Sequence, residues 1–88
     1  MSELTEYRKE IDRIDRELTR LVEHRFNVVR KVAEYKAQND LPILDSSREE
    51  AVIQRNLDRL ENSEYAAEIA EFYQNLMTIS KAIQKKSG

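Results

Sequence analysis

Arg25 stands where an apolar residue is due. From Leu4 onward, apolar residues recur at alternating steps of three and four, and the step after Leu18 and Leu21 falls on Arg25. A guanidinium on an apolar seam is costly unless it meets an anion. Either a carboxylate of another helix or water at the end of the side chain meets that charge, or Arg25 holds an anionic ligand. Lys36 follows eleven residues later, close to three helical turns, so the two cations share a face roughly 16 Å apart along the axis. Their long side chains can converge on a small anion between them. Arg8 lies on the same row as Lys36 but 28 residues away, about 42 Å at helical rise, so no small molecule touches both within one chain. In an antiparallel dimer, Arg8 of one copy approaches the Lys36 region of the other, which creates two symmetric composite sites. Taken alone, Arg8 and Lys36 read more simply as solvated surface charges.

A second set of polar residues interrupts the C-terminal third. Tyr73, Met77, Ser80 and Gln84 form one stripe, in which Ser80 and Gln84 replace apolar residues at i and i+4. They either bond to each other or to a neighbouring helix, or Gln84 presents its amide hydrogens to a ligand oxygen. The stretch Asp45-Ser46-Ser47-Arg48-Glu49 places an arginine and two carboxylates together, and helix capping already accounts for it. His24 and the acidic residues of the first helix read as a solvated face.

Stepping these residues into position takes few and long elements. The chain has 88 residues with one Gly and one Pro, and 36% are charged and 40% hydrophobic, so few turns are available. That composition predicts an all-α fold of three helices in a single domain, residues 1–88. Leu4, Tyr7, Ile11, Ile14, Leu18, Leu21, Val28, Val32 and Tyr35 make a heptad seam along a first helix that runs from Leu4 to about Asn39. About 35 residues at 1.5 Å each give roughly 50 Å, whereas a compact domain of this size has a radius of gyration near 12 Å. The helix therefore projects from any monomeric globule, and a two-fold dimer is the simplest place to bury its seam.

Asn39-Asp40-Leu41-Pro42 ends that helix. Asp45, Ser46 and Ser47 offer caps for a second helix that reaches about Leu60, with Ser46/Glu49 and Ser47/Glu50 at capping-box spacing and Val52, Ile53, Leu57 and Leu60 as its apolar positions. Glu61-Asn62-Ser63 reads as a break, with Ser63 the cap of a third helix from about Glu64 to Lys85. Ile69, Phe72, Tyr73, Leu76, Met77, Ile79 and Ile83 are its expected inward positions, and Ser87-Gly88 carries no functional signal.

Composition narrows the function. The absence of cysteine excludes disulfides and thiolate metal sites, and a single histidine argues against a histidine-based one, so no metal is expected, and a core of this size is too small to enclose a large cofactor by itself. A net charge of −2 argues against nucleic acid as a partner. No apolar run approaches the roughly 20 residues that cross a bilayer, and the N-terminus has no apolar signal core, so a cytoplasmic protein is expected.

Taken together, three segments resemble the all-helical chorismate mutases: Arg8, Arg25 in Glu23-His24-Arg25 and Lys36 in Tyr35-Lys36; Pro42 to Glu49; and Ser80-Lys81-Ala82-Ile83-Gln84. The likeness covers about residues 4 to 86. It implies three helices per chain, intertwined as a homodimer with two composite sites. It also implies the pericyclic rearrangement of chorismate to prephenate, a step toward phenylalanine and tyrosine, with no metal, redox cofactor or covalent intermediate. By the same resemblance, Arg25 and Arg8 of the partner chain clamp the two carboxylates, and Arg48 adds positive charge and hydrogen bonding. Lys36 and Gln84 donate to the ether oxygen, Glu49 accepts from the ring hydroxyl, and Asp45 and Ser80 are lesser polar contacts.

Two other readings stay open. A lyase of the same architecture eliminates pyruvate from isochorismate with a similar cationic pocket. A non-catalytic helical dimer, serving as a scaffold or regulatory module, explains the heptads but not why Arg25, Lys36, Ser80 and Gln84 interrupt apolar faces together.

Overall fold

Thirty-six consecutive residues, Glu3–Gln38, form the first helix, α1, in the computed structural model, which describes residues 2–87. Met1 and Gly88 lie outside the described residues. The Ser2 hydroxyl caps α1 by accepting from the Thr5 amide at 3.2 Å, and Glu3 and Glu6 place negative charge at the positive end of the helix dipole. At the other end Asp40 takes a left-handed conformation, φ 53°, and the Leu41 amide wraps back to the Lys36 carbonyl at 2.9 Å. That closure satisfies an end carbonyl, and aspartate is one of the few residues besides glycine that tolerates the left-handed region. Pro42 then prevents the helix from resuming.

The second helix, α2, spans Ser46–Asp58, and a single 3₁₀ turn at Ser63–Tyr65 leads into the third, α3, at Ala66–Ser87. Among the described residues all regular structure is helical, as the sparse Gly and Pro content predicts. Of the three caps that the sequence offers for α2, one is used, and the cap before α3 differs from the expected one. Asp45, not Ser46 or Ser47, caps α2: its carboxylate accepts from the Arg48 amide at 3.0 Å and from the Ser47 hydroxyl at 2.9 Å. Both bonds fall on Oδ1 and are charge-assisted, which a neutral serine cap cannot match. Asn62, one residue before the expected Ser63, caps the 3₁₀ turn through the Glu64 amide at 3.0 Å.

Those two hydrogen bonds, the Arg48 amide first and the Ser47 hydroxyl second, hold the Asp45 carboxyl below its ordinary value. A folded-state value that is lowered means a contribution to stability that is complete above about pH 4, the unfolded value, and is lost as pH falls through the folded one. Asp45→Ala is therefore expected to lower the thermal midpoint at pH 7 and to lower it by less near pH 3. Melts followed by circular dichroism at both pH values check this, and an equal loss at both contradicts it.

The α3 helix packs against both α1 and α2. The apolar core of the single chain is small: Ala33, Val52, Leu76 and Met77 are its buried members. Residues 2–21, by contrast, are exposed throughout. The chain measures 57 × 25 × 16 Å with a radius of gyration of 16.3 Å, against about 12 Å for a compact domain of this length. Its accessible surface is 7235 Å², where a compact monomer of this mass has about 5,400 Å². The projecting part is apolar along one stripe, with Leu4, Tyr7, Ile11, Ile14, Leu18 and Leu21 each 43–58% exposed. Phe72 and Ile79 also differ from expectation, since both face outward at 41% and 50% exposure. They share one side of α3, seven residues apart, and within one chain only the other side meets α1 and α2; Phe72 instead sets its ring edge-on to Tyr73, with centroids 5.4 Å apart.

Candidate active site

The turn after α1 folds the chain back across the last turns of that helix, and α2 and α3 close the sides of the cleft so formed. Its volume is about 160 Å³. Arg25 and Lys36 enter from α1, Asp45 from the loop, Arg48 and Glu49 from α2, and Ser80 and Gln84 from α3, over a floor of Val29, Val32, Val52 and Met77. Seven of the eight residues singled out in the sequence thus meet around one space. The eighth, Arg8, does not line it. It lies seventeen residues before Arg25 on the same helix, about 25 Å away along the axis.

Each side chain has a traceable reason for its position. The Ser80 hydroxyl, on a residue 6% exposed, donates to the Leu76 carbonyl at 2.8 Å. Its remaining lone pairs face Arg25, whose Nη1 donates to Ser80 Oγ at 2.9 Å. The serine on an apolar face is therefore a fastening for the guanidinium. That bond is to a neutral oxygen, and Arg25 forms no ion pair among the described residues. Lys36 Nζ donates to the Ile43 carbonyl at 2.9 Å, which pins the return loop to α1 and leaves its other two donors. Gln84 is 8% exposed, and its Oε1 is buried with no hydrogen-bond partner among the described residues. An unmet buried amide oxygen costs about 1–3 kcal/mol.

Electrostatically the cleft is positive although the whole chain is not. Glu49 Oε1 pairs with Lys81 Nζ at 2.9 Å, with both side chains less than a third exposed, so these two charges cancel. The Asp45 carboxylate is committed to the start of α2. The Asp45 charge acts on Lys36 and Arg48, yet four cations, Arg25, Lys36, Arg48 and Lys81, line the space against two carboxylates, Asp45 and Glu49, which leaves an excess of two positive charges, a complement for a compact dianion. Lys81 is the residue that sequence reasoning missed. It lies four residues after Met77 and three before Gln84, so its place beside the stripe was available in the helical spacing. Its pairing with Glu49 across helices was not. No described group of three or more His, Asp or Glu side chains is placed to hold a metal ion, and no described helix is long and apolar enough to cross a membrane.

Fold and cleft together give an all-helical chain with a small, positively charged cleft walled by all three helices. Comparison with known proteins specifies it further: the chain belongs to the type II chorismate mutase family, which matches residues 7–85. It is 32% identical to the chorismate mutase of Methanocaldococcus jannaschii over 98% of its own length and 88% of that protein. It is 33% identical to the bifunctional chorismate mutase/prephenate dehydratase of Aquifex aeolicus over 98% of its length, and spans only 25% of that longer protein. The T-protein of Haemophilus influenzae is 37% identical over 81% of this chain, which is 19% of the relative. No solved structure gives a significant match.

Proposed function

We propose that residues 1–88 act as a single domain that converts chorismate to prephenate, in the route to phenylalanine and tyrosine, and that two copies intertwine to form two sites. The observation that carries the reading is Arg25: a guanidinium on an apolar face, fastened by a neutral serine and unpaired, in a cleft with Lys36, Arg48 and a buried Gln84 amide. A scaffold has no use for that arrangement, and a dicarboxylate does. The dimer is supported by the surface surplus of roughly 1,800 Å² per chain over a compact monomer, about 3,600 Å² for two chains, which is within the range that obligate interfaces bury in total. The apolar stripe from Leu4 to Leu21 is its natural contact.

The rearrangement is unimolecular. It forms a carbon–carbon bond as the ether carbon–oxygen bond breaks, and needs no co-reactant. Its barrier falls when the substrate is held in the folded conformer that brings the reacting carbons together, an effect that can reach several kcal/mol. Arg25, with Arg8 of the second copy, grips the carboxylates through bidentate hydrogen bonds, and Arg48 adds to the positive field. As the ether bond stretches, negative charge grows on its oxygen, and Lys36 and Gln84 donate hydrogen bonds to it. Glu49, fixed by Lys81 through Oε1, keeps Oε2 to accept from the ring hydroxyl, while Asp45 and Ser80 hold the frame.

The test is to follow the ultraviolet absorbance of chorismate with purified protein and to identify the product. Prephenate supports the reading. Turnover of isochorismate to pyruvate in its place assigns the related lyase, and a folded dimer inactive on both, with no thermal shift from a chorismate-like dicarboxylate, leaves a scaffold. The cleft is lined by carboxylates, lysines and arginines, without histidine, so the rate is expected to be nearly flat between about pH 6 and 8. Gln84→Ala is expected to slow the reaction by about 10²–10³-fold. Gln84→Glu donates only while protonated, so its activity should fall as pH rises. A pH-independent Gln84→Glu variant contradicts the role given to Gln84.

A further inference from the structure

Beside the cleft lies a second hollow of about 250 Å³, which shares Arg25, Arg48 and Val52 with it and is completed by Arg55, Arg59 and Tyr73. Four guanidiniums surround this space, and none of the four forms an ion pair among the described residues. The chain has 17 acidic residues, yet none of them forms an ion pair with this cluster. The spacing sets Arg48, Val52 and Arg55 on one face of α2, and Arg59, its C-cap, follows four residues later. Arg59 is also held in place: its Nη1 donates to Asn56 Oδ1 at 3.0 Å, and Asn56 Nδ2 donates to the Val52 carbonyl at 2.9 Å. The arrangement repeats the logic of Arg25 on Ser80, a guanidinium fastened by a neutral side chain that is itself bonded to a backbone carbonyl.

We propose that this hollow is the approach path to the cleft, and that Arg55 and Arg59 draw the dianionic substrate toward Arg25 and Arg48 without touching it during the reaction. The proposal rests on the chorismate reading above. A recess lined by one sign of charge focuses the field and raises the local concentration of the opposite ion, by 10–10³-fold in steered associations. Because both arginines are exposed, their effect is screened within a Debye length of about 10 Å at 0.1 M salt and about 3 Å at 1 M. Steering therefore appears as salt dependence of kcat/KM, while kcat, set after binding, stays constant.

The experiment is steady-state kinetics of the full chain on chorismate from low to high ionic strength, for wild type, Arg55→Gln/Arg59→Gln and Arg55→Lys/Arg59→Lys. The glutamine pair is expected to lose about 3–10-fold in kcat/KM at low salt, with kcat within about twofold, a shallower salt slope, and convergence with wild type at high salt. The lysine pair, which keeps the charge, should follow wild type. Equal slopes for all three proteins overturn the proposal, as does a fall in kcat. A glutamine pair that weakens the dimer with an unchanged slope also overturns it, since the arginines then face a partner carboxylate. Wild-type turnover keeps the questions separate, because the functional reading stands on that activity and the steering on the difference in slope. An inactive wild type overturns both.

Discussion

Arg25→Ala is expected to lower kcat/KM for chorismate by about 10³-fold while the protein still folds. The magnitude follows from what Arg25 supplies: a preorganised, charge-assisted fork at a point where a carboxylate must lose its water. The effect on folding is small because the native state gains little from this side chain. Its hydrogen bond to Ser80 is to a neutral oxygen, worth about 1 kcal/mol, and its removal relieves a partly desolvated charge on the helix face. Arg25→Lys keeps the charge and loses the fork, so it should fall between alanine and wild type. Kinetics beside thermal melts check both claims. Activity within a few-fold of wild type, in a folded Arg25→Ala, sinks the site geometry proposed here.

The second large effect concerns Arg8. Alone it is an exposed residue on a projecting helix, far from the cleft of its own chain. If it completes the site of a partner copy, Arg8→Ala should be nearly as damaging as Arg25→Ala, with no change in the fold. Mixing the two inactive variants then restores activity. In a mixed dimer one site has Arg25 from the Arg8→Ala chain and Arg8 from the Arg25→Ala chain, and is intact; the other site lacks both. Random exchange of subunits makes half the dimers mixed, so about a quarter of wild-type activity is expected from a two-fold assembly with two composite sites. Recovery close to that fraction is the signature of shared sites. No recovery after subunits are shown to exchange removes Arg8 from the site.

Much of the architecture was readable because helices are local. The seam from Leu4 to Tyr35, the stop at Pro42 and the break at 61–63 depend on spacing and on backbone freedom, and α1, α2 and α3 begin and end within a few residues of those signals. Arg25, Ser80 and Gln84 were conspicuous for the same reason: a polar residue on an apolar face breaks a period that the chain itself displays. Lys36 and Arg25 could be assigned to one face, because three turns of helix are a fixed rotation.

What periodicity cannot carry is which face meets which. Phe72 and Ile79 match the apolar pattern as well as Leu76 and Met77 do, yet only the latter pair is buried within one chain. Whether a capping carboxylate or a serine wins at the start of α2 turned on the charge that Asp45 brings to its two hydrogen bonds. The fastening of Arg25 by Ser80 joins residues 55 positions apart, and the Glu49–Lys81 pair joins α2 to α3. Only tertiary structure decided these, because such contacts depend on how whole helices pack, and the energy of packing is summed over many side chains rather than written in any short segment. By itself the sequence determined three helices, one of them longer than a globule can hold, with cations and an amide set into their apolar faces. Folding determined that those groups share one cleft, that Glu49 is paired with Lys81 there, and that the cations around the space outnumber the carboxylates.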